Sequence, residues 1–269
     1  MQSKKKSKKT VYYSDEHGDD FAKFDIEAKK IEKDFKYEHK NPIWNFFAFI
    51  AYYLIAFPLV WFFERVLLRI RFVNKKSSRK VGHCFFYGNH IGFIDAFTPN
   101  LISFPRRNMI VVGPETVSIK GLKTVVQWLG ALPVPSDIST LIRFKHALLK
   151  NEEKKHNITI YPEAHIWPYF TGVRDFPDTS FAYPVETNTP VIAFFTAFSE
   201  PRGFLSCFRK ANITVFVSDP IYPDASLSKR DARRDLRDRV YAFMKVHSEK
   251  YSTYAAVEYI KSDKGDTVS

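Results

Sequence analysis

The longest apolar run of the chain extends from Ile43 to Phe63 and contains no charged residue. As a helix it would be roughly 31 Å long, since each residue adds about 1.5 Å, and a bilayer has a hydrocarbon core about 30 Å thick. Trp44 and Trp61 lie near its ends, where aromatic residues favour the membrane interface. The pattern predicts a membrane-embedded helix that Pro58 kinks or turns back. The alternative is a buried core helix of a soluble protein.

Basic residues flank this run on both sides, so the positive-inside rule does not select an orientation. They are Lys29, Lys30, Lys33, Lys36 and Lys40 before the run, and Arg65, Arg69, Arg71, Lys75, Lys76, Arg79 and Lys80 after it. Balanced flanks favour a segment that enters one leaflet and returns, with both ends in the cytoplasm. We therefore expect the protein at the cell membrane, on its cytoplasmic face.

A polar tail precedes the apolar run and begins with MQSKKKSKK. After it, apolar residues recur at helical spacing among Lys and Glu at Phe21, Phe24, Ala28, Ile31 and Phe35. This thin stripe is typical of an interfacial helix, although a helix packed on the main domain has the same pattern. We assign residues 1–42 to a basic tail and amphipathic helix, and residues 43–71 to the membrane-embedded segment.

Short β-branched or aromatic runs alternate with helical patterns after Arg71. The runs predict strands at 83–88, 109–112, 157–162, 190–197 and 212–218. Helices are predicted at 95–104, 120–130, 138–150 and 179–187. Such alternation is typical of an α/β domain, with a mostly parallel mixed sheet flanked by helices. We assign this domain to residues 72–269.

A last helix is predicted near the C-terminus, where Ser228 and Asp231 form a capping-box pattern. One face of that helix is apolar at Leu236, Val240, Phe243, Met244 and His247, and the other faces are basic. A basic amphipathic helix can lie on a membrane, but we favour packing of the apolar face on the domain core.

The chain is strongly basic. It contains 41 Lys and Arg residues but only 29 Asp and Glu residues, which gives a net charge of +12. This excess indicates an anionic partner such as a membrane surface, a charged substrate or nucleic acid. An apolar content of 45% excludes a disordered chain. The two cysteines, Cys84 and Cys207, form no CxxC pair, which fits a reducing compartment and no structural zinc site.

The first candidate for chemistry is the segment GNHIGFIDAF, which contains His90 and Asp95. Residues five apart point about 140° apart on a helix, so the two side chains meet only if His90 lies in the loop and Asp95 in the first helical turn. Asp95 can then accept from one imidazole nitrogen, which leaves the other free to take a proton from a hydroxyl. The segment follows a predicted strand, and α/β proteins commonly have their active or ligand sites at the ends of strands.

The second candidate is Glu163 in the segment ITIYPEAHIW, directly after a predicted strand that Pro162 ends. A carboxylate at a strand end can hold a substrate hydroxyl or balance a cation. A surface glutamate is the alternative, but a Tyr-Pro-Glu turn after an apolar strand favours a site residue.

These segments resemble the motifs of the glycerolipid acyltransferases typified by 1-acyl-glycerol-3-phosphate acyltransferase. Asn89, His90 and Asp95 match the first motif, N-H-x4-D. YPEAHI from Tyr161 to Ile166 resembles the third motif, F-P-E-G-T-R. GALPVPS from Gly130 to Ser136 resembles the second motif, and PVIA from Pro190 to Ala193 the fourth. The resemblance covers roughly 43–220, and a leading membrane segment is also typical of the family.

The resemblance implies that His90, oriented by Asp95, is the general base that activates an acceptor hydroxyl for attack on acyl-CoA or acyl-carrier protein. The acyl group would move directly, without an acyl-enzyme, and no cofactor or metal would be needed. The partners implied are the bilayer, a lysolipid acceptor and the acyl thioester, with no nucleic acid. The candidate acceptor-binding residues are Asn89, Glu163, Ala164, His165, Arg174 and Arg143.

Three positions depart from the family pattern. The arginines expected in the second and third motifs align with Ser136 and Ile166, and the glycine of the third motif is Ala164. The resemblance associates those arginines with the acceptor phosphate, which would lose strong charge-assisted bonds. Arg143, Lys145, Arg174 or His165 are the candidate substitutes. We expect 1-acyl-glycerol-3-phosphate as acceptor, in phospholipid biosynthesis, while a lyso-glycolipid or an aminolipid stays open.

Other functions use the same features. His90, Asp95, Glu163 and His165 could bind a metal in a hydrolase, although the chain has no H-x3-H motif. The positive charge also permits a non-enzymatic membrane or nucleic-acid binder, but no nucleic-acid motif is recognised and the His90–Asp95 pair is then unexplained. An acyltransferase that has lost its activity is a further alternative, which the intact pair disfavours.

Overall fold

A computed structural model describes residues 9–21, 31, 34–135, 137–201 and 210–262. The chain forms nine strands in this part. They are β1 (Lys9–Tyr13), β2 (Arg71–Val73), β3 (Phe85–Gly88), β4 (Asn108–Val112), β5 (Ala131–Pro133), β6 (Asn157–Ile160), β7 (Val191–Ser199), β8 (Asn212–Val217) and β9 (Val257–Lys261).

Seven of these strands form one sheet in the order β2-β8-β7-β3-β6-β4-β5. β7 and β8 pair antiparallel, whereas the other neighbours pair parallel. The predicted mostly parallel mixed sheet is confirmed. β3 lies between β6 and β7, so the segment that follows it begins near the middle of the sheet.

The sheet is covered on both faces, which its apolar strands require. The helices are α1 (Pro42–Leu67), α2 (Thr98–Ser103), α3 (Pro114–Ser118), α4 (Lys123–Trp128), α5 (Ile138–Glu153), α6 (Ala182–Thr187) and α7 (Lys229–Tyr251). Phe85 and Tyr87 of β3 face a core that includes Leu148 of α5 and Leu236 of α7. Phe86, on the opposite face of β3, packs in a second core with Ile102 of α2.

The apolar run is one continuous helix of 26 residues, α1, which extends the predicted helix to Leu67. The chain stays helical through Pro58, so the predicted reversal is wrong. Its α-helical turns alternate with wider π-helical turns at Ile50–Ala56 and Phe63–Leu67. Pro58 is the second residue after the first π stretch, where a locally altered hydrogen-bond pattern accommodates a residue without an N–H.

One side of α1 packs on the α/β domain and the other is exposed. Ala48, Tyr52, Val60 and Glu64 are buried, spaced in multiples of four residues, and the helix contacts α2 and α4. The exposed side is apolar at Ile43, Phe46, Phe47, Phe49, Leu54, Ile55, Leu59, Trp61, Phe62, Val66 and Leu67. The opposite face is therefore an extended apolar surface.

The last helix, α7, begins after Ser228, whose side chain accepts a hydrogen bond from the N–H of Asp231. Leu236, Val240 and Met244 are fully buried, which confirms that this helix packs its apolar face on the core. The predicted amphipathic helix before α1 lies largely outside the described residues, Phe24 and Ala28 included. At its end, Ile31 and Phe35 form a small buried cluster with Val117.

The two ends of the described chain meet in a second, two-stranded parallel sheet of β1 and β9. Five residue pairs, from Lys9 with Val257 to Tyr13 with Lys261, are in register. A two-stranded sheet is marginal on its own, so this terminal sheet depends on what it packs against. Tyr13 and Tyr259 both contact the ring of Trp167.

Candidate active site

His90 follows the carboxyl end of β3, and Asp95 lies in the short 3₁₀ turn Phe93–Ala96 that comes after it. This is the loop-and-first-turn arrangement expected from the spacing. The last residue of β3 is a glycine, Gly88, because a Cβ there would lie 2.1 Å from the ring of Phe194. Gly92 has a φ of +144°, a conformation that other residues rarely adopt, and it lets the chain turn back toward His90.

The side chains of His90 and Asp95 are hydrogen bonded, with Nδ1 and Oδ2 2.8 Å apart. The same carboxylate oxygen accepts the backbone N–H groups of Ile91 at 2.6 Å and Gly92 at 2.9 Å. Asp95 is 2% exposed and the side chain of His90 is 17% exposed. With Nδ1–H donating to Asp95, the lone pair of Nε2 is left to act as a base. Within the described ranges, no hydrogen bond engages that Nε2.

Tyr161 supports both members of this pair, a role that the sequence did not reveal. Its ring stacks on the imidazole of His90, with centroids 4.5 Å apart and an interplanar angle of 13°. Its hydroxyl donates to the backbone carbonyl of Asp95 at 2.6 Å. Burial raises the pKa of Tyr161 well above its usual value, with Asp95 and Glu64 adding to the effect, so the phenol stays a donor.

Glu163 contacts the backbone of His90 and forms a buried ion pair with Arg174. Its Oε2 accepts the backbone N–H of His90 at 3.3 Å and the Arg174 Nη2 at 3.0 Å. Burial raises the pKa of Glu163, while Arg174 opposes that shift. Both side chains are 1% exposed. Arg174 also donates to the carbonyls of Glu16 and His165. Both charges are thus directed at each other, and their part in acceptor binding stays a prediction.

Asn89 joins the end of β3 to β7. Its side chain is fully buried; Oδ1 accepts the N–H of Thr196 at 2.8 Å, and Nδ2 donates to the Thr196 carbonyl at 3.2 Å. These two bonds fix the backbone directly before His90. The amide therefore holds the strand end in place, and its contact with substrate stays a prediction.

The remaining predicted residues have partners other than the His90–Asp95 pair or lie outside the described residues. Ala164 follows Glu163 with a φ of +63°, which accounts for glycine in the resembling motif. The His165 Nδ1 lies 3.6 Å from the Asp20 Oδ2. Arg143 donates to the carbonyl of Phe35 at 3.2 Å, and no hydrogen bond or ion pair of the described chain connects it with His90. Ser136 lies outside the described residues.

Comparison with known proteins gives a likeness of fold. No family model and no curated protein sequence matches the chain. Among solved structures, it is similar to the 1-acyl-sn-glycerophosphate (LPA) acyltransferase PlsC from Thermotoga maritima, with a TM-score of 0.51 and 12% sequence identity. The match covers 75% of this chain and 92% of that one. The chain therefore shares the fold of that acyltransferase.

The segment after Glu163 runs beside the His90 loop. The N–H of Trp167 donates to the His90 carbonyl at 3.2 Å, and that of Tyr169 to the Ile91 carbonyl at 3.3 Å. The N-terminal segment closes over it, because the Phe21 N–H donates to the Ile166 carbonyl at 3.1 Å. Trp167 is buried and donates its indole N–H to the Asp19 carbonyl at 2.8 Å. The terminal sheet is thus linked to the His90 loop through Trp167.

Neither a cysteine nucleophile nor a metal cluster is found in the described part of the chain. Cys84 is buried and burial raises the pKa of its thiol, which removes the reactive thiolate. Cys207 lies outside the described residues. The described residues contain no group of three or more His, Cys, Asp or Glu side chains arranged to hold a metal ion.

Proposed function

We propose that this protein transfers a fatty acyl group from an acyl thioester to the free hydroxyl of a lysolipid at a membrane surface. The observation that carries the proposal is the His90–Asp95 pair, 2.8 Å apart at the end of the central strand β3. The acyltransferase fold supports it, since the pair lies in a chain similar to an LPA acyltransferase.

The reaction needs only a base and a positioned thioester. Nε2 of His90 takes the proton of the acceptor hydroxyl as its oxygen attacks the thioester carbonyl. Asp95 stabilises the imidazolium that forms, because its carboxylate holds the Nδ1–H. When the tetrahedral intermediate collapses, the C–S bond breaks and the thiolate takes the proton from His90. An ester and a free thiol result, and no acyl-enzyme forms.

The substrates proposed are acyl-CoA or acyl-carrier protein as donor and 1-acyl-glycerol-3-phosphate as acceptor, in phospholipid biosynthesis. The acceptor headgroup is the least constrained part, because Ile166 and Ser136 occupy the positions where the resembling motifs have arginine. The proposal requires no cofactor and no metal, and acyl-carrier protein would be a transient partner.

The protein is proposed to be monotopic, with α1 lying in one leaflet at the cytoplasmic face. Buried residues from Ala48 to Glu64 pack on the domain along most of α1. If α1 crossed the bilayer, the domain attached to it would also have to enter the hydrocarbon. A helix with one apolar exposed face and one packed face fits the interfacial position better, and it brings the His90 loop close to membrane lipids.

The decisive test is thiol release from acyl-CoA and from acyl-carrier protein by membranes that contain the protein. Lysolipids with and without a phosphate are offered, and His90→Ala serves as the reference. Release that requires a lysolipid and is lost in His90→Ala supports the proposal, and the responding lipid identifies the acceptor. Release that is equal in the variant, or absent with every lipid, would overturn it. Metal analysis of the purified protein would then test the hydrolase alternative.

A further inference from the structure

Glu64 is a fully buried carboxylate beside the site, and the proposed reaction gives it no role. It lies in the last turns of α1 and is 0% exposed. Its Oε1 accepts the hydroxyl of Thr98 at 3.0 Å, three residues beyond Asp95. Its Oε2 is buried and has no hydrogen-bond partner among the described residues. A buried acceptor without a partner is costly, so this oxygen calls for an explanation.

The second oxygen of Asp95 is in the same condition. Oδ2 of Asp95 receives all three of its side-chain hydrogen bonds, whereas Oδ1 is buried and has no partner in the described part of the chain. Thr98, which hydrogen bonds to Glu64, is only three residues beyond Asp95, and the charge of Asp95 adds to the raised pKa of Glu64. Two buried carboxyl groups on segments joined in this way, each with one unused oxygen, can satisfy both oxygens if a proton is held between them, directly or through a water.

The charges around Glu64 indicate where that proton lies. No Lys or Arg of the described chain is within ion-pair distance of Glu64, and Lys75 and Arg65 act on it only from farther away. Burial raises the pKa of Glu64 to about 8, with the Thr98 hydroxyl opposing and Asp95 adding to the shift. Glu64 accepts one hydrogen bond, whereas Oδ2 of Asp95 accepts three, so Glu64 is the group that holds the proton. The hydroxyl of Tyr161 donates to the backbone carbonyl of Asp95, and burial raises its pKa well above the usual value, so Tyr161 stays protonated.

We propose that Glu64 is a protonated positioning residue whose carboxyl O–H donates to Oδ1 of Asp95, directly or through one buried water. The inference rests on the proposed function, since it assigns Glu64 to the orientation of the catalytic pair. Glu64 belongs to the helix that faces the lipid, so this bond links the membrane-facing helix to the base. Loss of the proton places two anions side by side, and their repulsion displaces Asp95 from His90.

The first test compares the pH dependence of kcat for the full-length wild type, Glu64→Gln and Glu64→Ala in membranes. Glutamine keeps a donor to Asp95 but cannot ionise. We expect Glu64→Gln to stay within about threefold of the wild type at neutral pH and to lack the decline of wild-type activity at alkaline pH. Glu64→Ala should lose about tenfold at all pH values, because Oδ1 then has no donor.

Glu152→Gln is the matched control, since Glu152 is another buried carboxylate but bonds to Thr189 and His83. It should keep the alkaline decline of the wild type. If Glu64→Gln loses as much activity as Glu64→Ala, Glu64 acts as an anion and the proposal is wrong. If Glu64→Gln keeps the alkaline decline, another group titrates there and the proposal is equally wrong.

A second readout separates this proposal from the acyltransferase reaction itself. Infrared spectra of the wild type should contain the carbonyl stretch of a protonated carboxylic acid at neutral pH, and Glu64→Gln should lack it. This band does not depend on any substrate. If it is present while no lysolipid supports thiol release, the proposed function fails and the protonation stands. If it is absent while His90-dependent transfer occurs, the protonation fails and the function stands.

Discussion

The ring of Tyr161 lies face to face with the imidazole of His90, 4.5 Å away between centroids, while its hydroxyl bonds to the backbone of Asp95 at 2.6 Å. One side chain from the end of β6 thus fixes both members of a pair that comes from the end of β3. The resembling motif has phenylalanine at this position, so the hydroxyl is a feature of this chain.

Replacing Tyr161 by phenylalanine should therefore lower kcat by roughly three- to tenfold, because loss of one buried hydrogen bond is worth about 0.5–1.5 kcal/mol. The ring would still support His90, so the Michaelis constant for the acceptor should change little. Steady-state thiol release with wild type and variant checks this. Tyr87→Phe is the matched control, since Tyr87 is also buried and its hydroxyl donates to the Ser180 carbonyl at 2.9 Å. A similar fall of kcat in Tyr87→Phe would attribute the effect to general loosening of the fold.

Asp95→Asn should lower kcat roughly 10²- to 10⁴-fold, the usual worth of a positioned acid–base group. The amide can still accept from Ile91 and Gly92 through its oxygen, so the loop keeps its shape. It cannot stabilise the imidazolium, because it carries no negative charge. Thiol release at saturating substrates measures the loss. Asp219→Asn, at an exposed partner of Lys80, should leave kcat unchanged, and a kcat for Asp95→Asn near the wild type would contradict the assignment of His90 as base.

The centre of the sheet could be predicted because its strands carry a strong local signal. β3 and β7 are continuous apolar runs bounded by polar or glycine residues, and the structure has both. β2 and β5 were not predicted, since three residues are too few for a periodic pattern. β1 and β9 were not predicted for a different reason. They pair with each other although they lie near opposite ends of the chain, and the local sequence of a segment does not indicate so distant a partner.

The same distinction holds at the site. His90 and Asp95 are five residues apart, so spacing and position after a strand were enough to predict their contact. Tyr161, Glu64 and Arg174 join the site from distant segments, and their roles depend on burial and partners that only the fold supplies. Arg174 was proposed from its charge as a phosphate ligand, whereas the structure shows it paired with Glu163.

The Glu163–Arg174 pair gives a test of stability. Arg174→Met should destabilise the protein by roughly 3–5 kcal/mol, because Glu163 is then left buried without its cation. Adding Glu163→Gln should recover more than half of that loss, since no uncompensated charge remains. Denaturant unfolding in detergent micelles, followed by circular dichroism, measures the free energy of unfolding for the two single variants and the double variant. Additive losses would show that the two residues are energetically independent.

The membrane role of α1 can be tested on its exposed face. Leu59 is 64% exposed, and lysine there should weaken vesicle binding at least tenfold, since a charge placed in the apolar region of a bilayer costs about 2.5–3.5 kcal/mol at its centre. Flotation with phospholipid vesicles measures the bound fraction. Val246→Lys places the same charge at an exposed position of α7 and should not weaken binding. If the two variants bind alike, the lipid contacts some other surface of the protein.

The terminal sheet contacts Trp167 and Pro168, and Trp167 in turn bonds to the His90 backbone, so removal of the sheet should weaken the site without abolishing it. Deleting residues 1–13 removes β1, leaves β9 unpaired and removes Tyr13 from Trp167. In the full chain the ring centroids of Tyr13 and Trp167 are 4.7 Å apart. We expect a loss of about 1–2 kcal/mol, which lowers the melting temperature by roughly 2–8 °C, and a kcat a few-fold below the wild type. Deleting residues 1–8 removes the basic tail but keeps β1, so its melting temperature should equal that of the full chain. If the two deletions lower stability equally, the contribution belongs to the tail, and the packing of β1 and β9 against Trp167 does not hold the site in place.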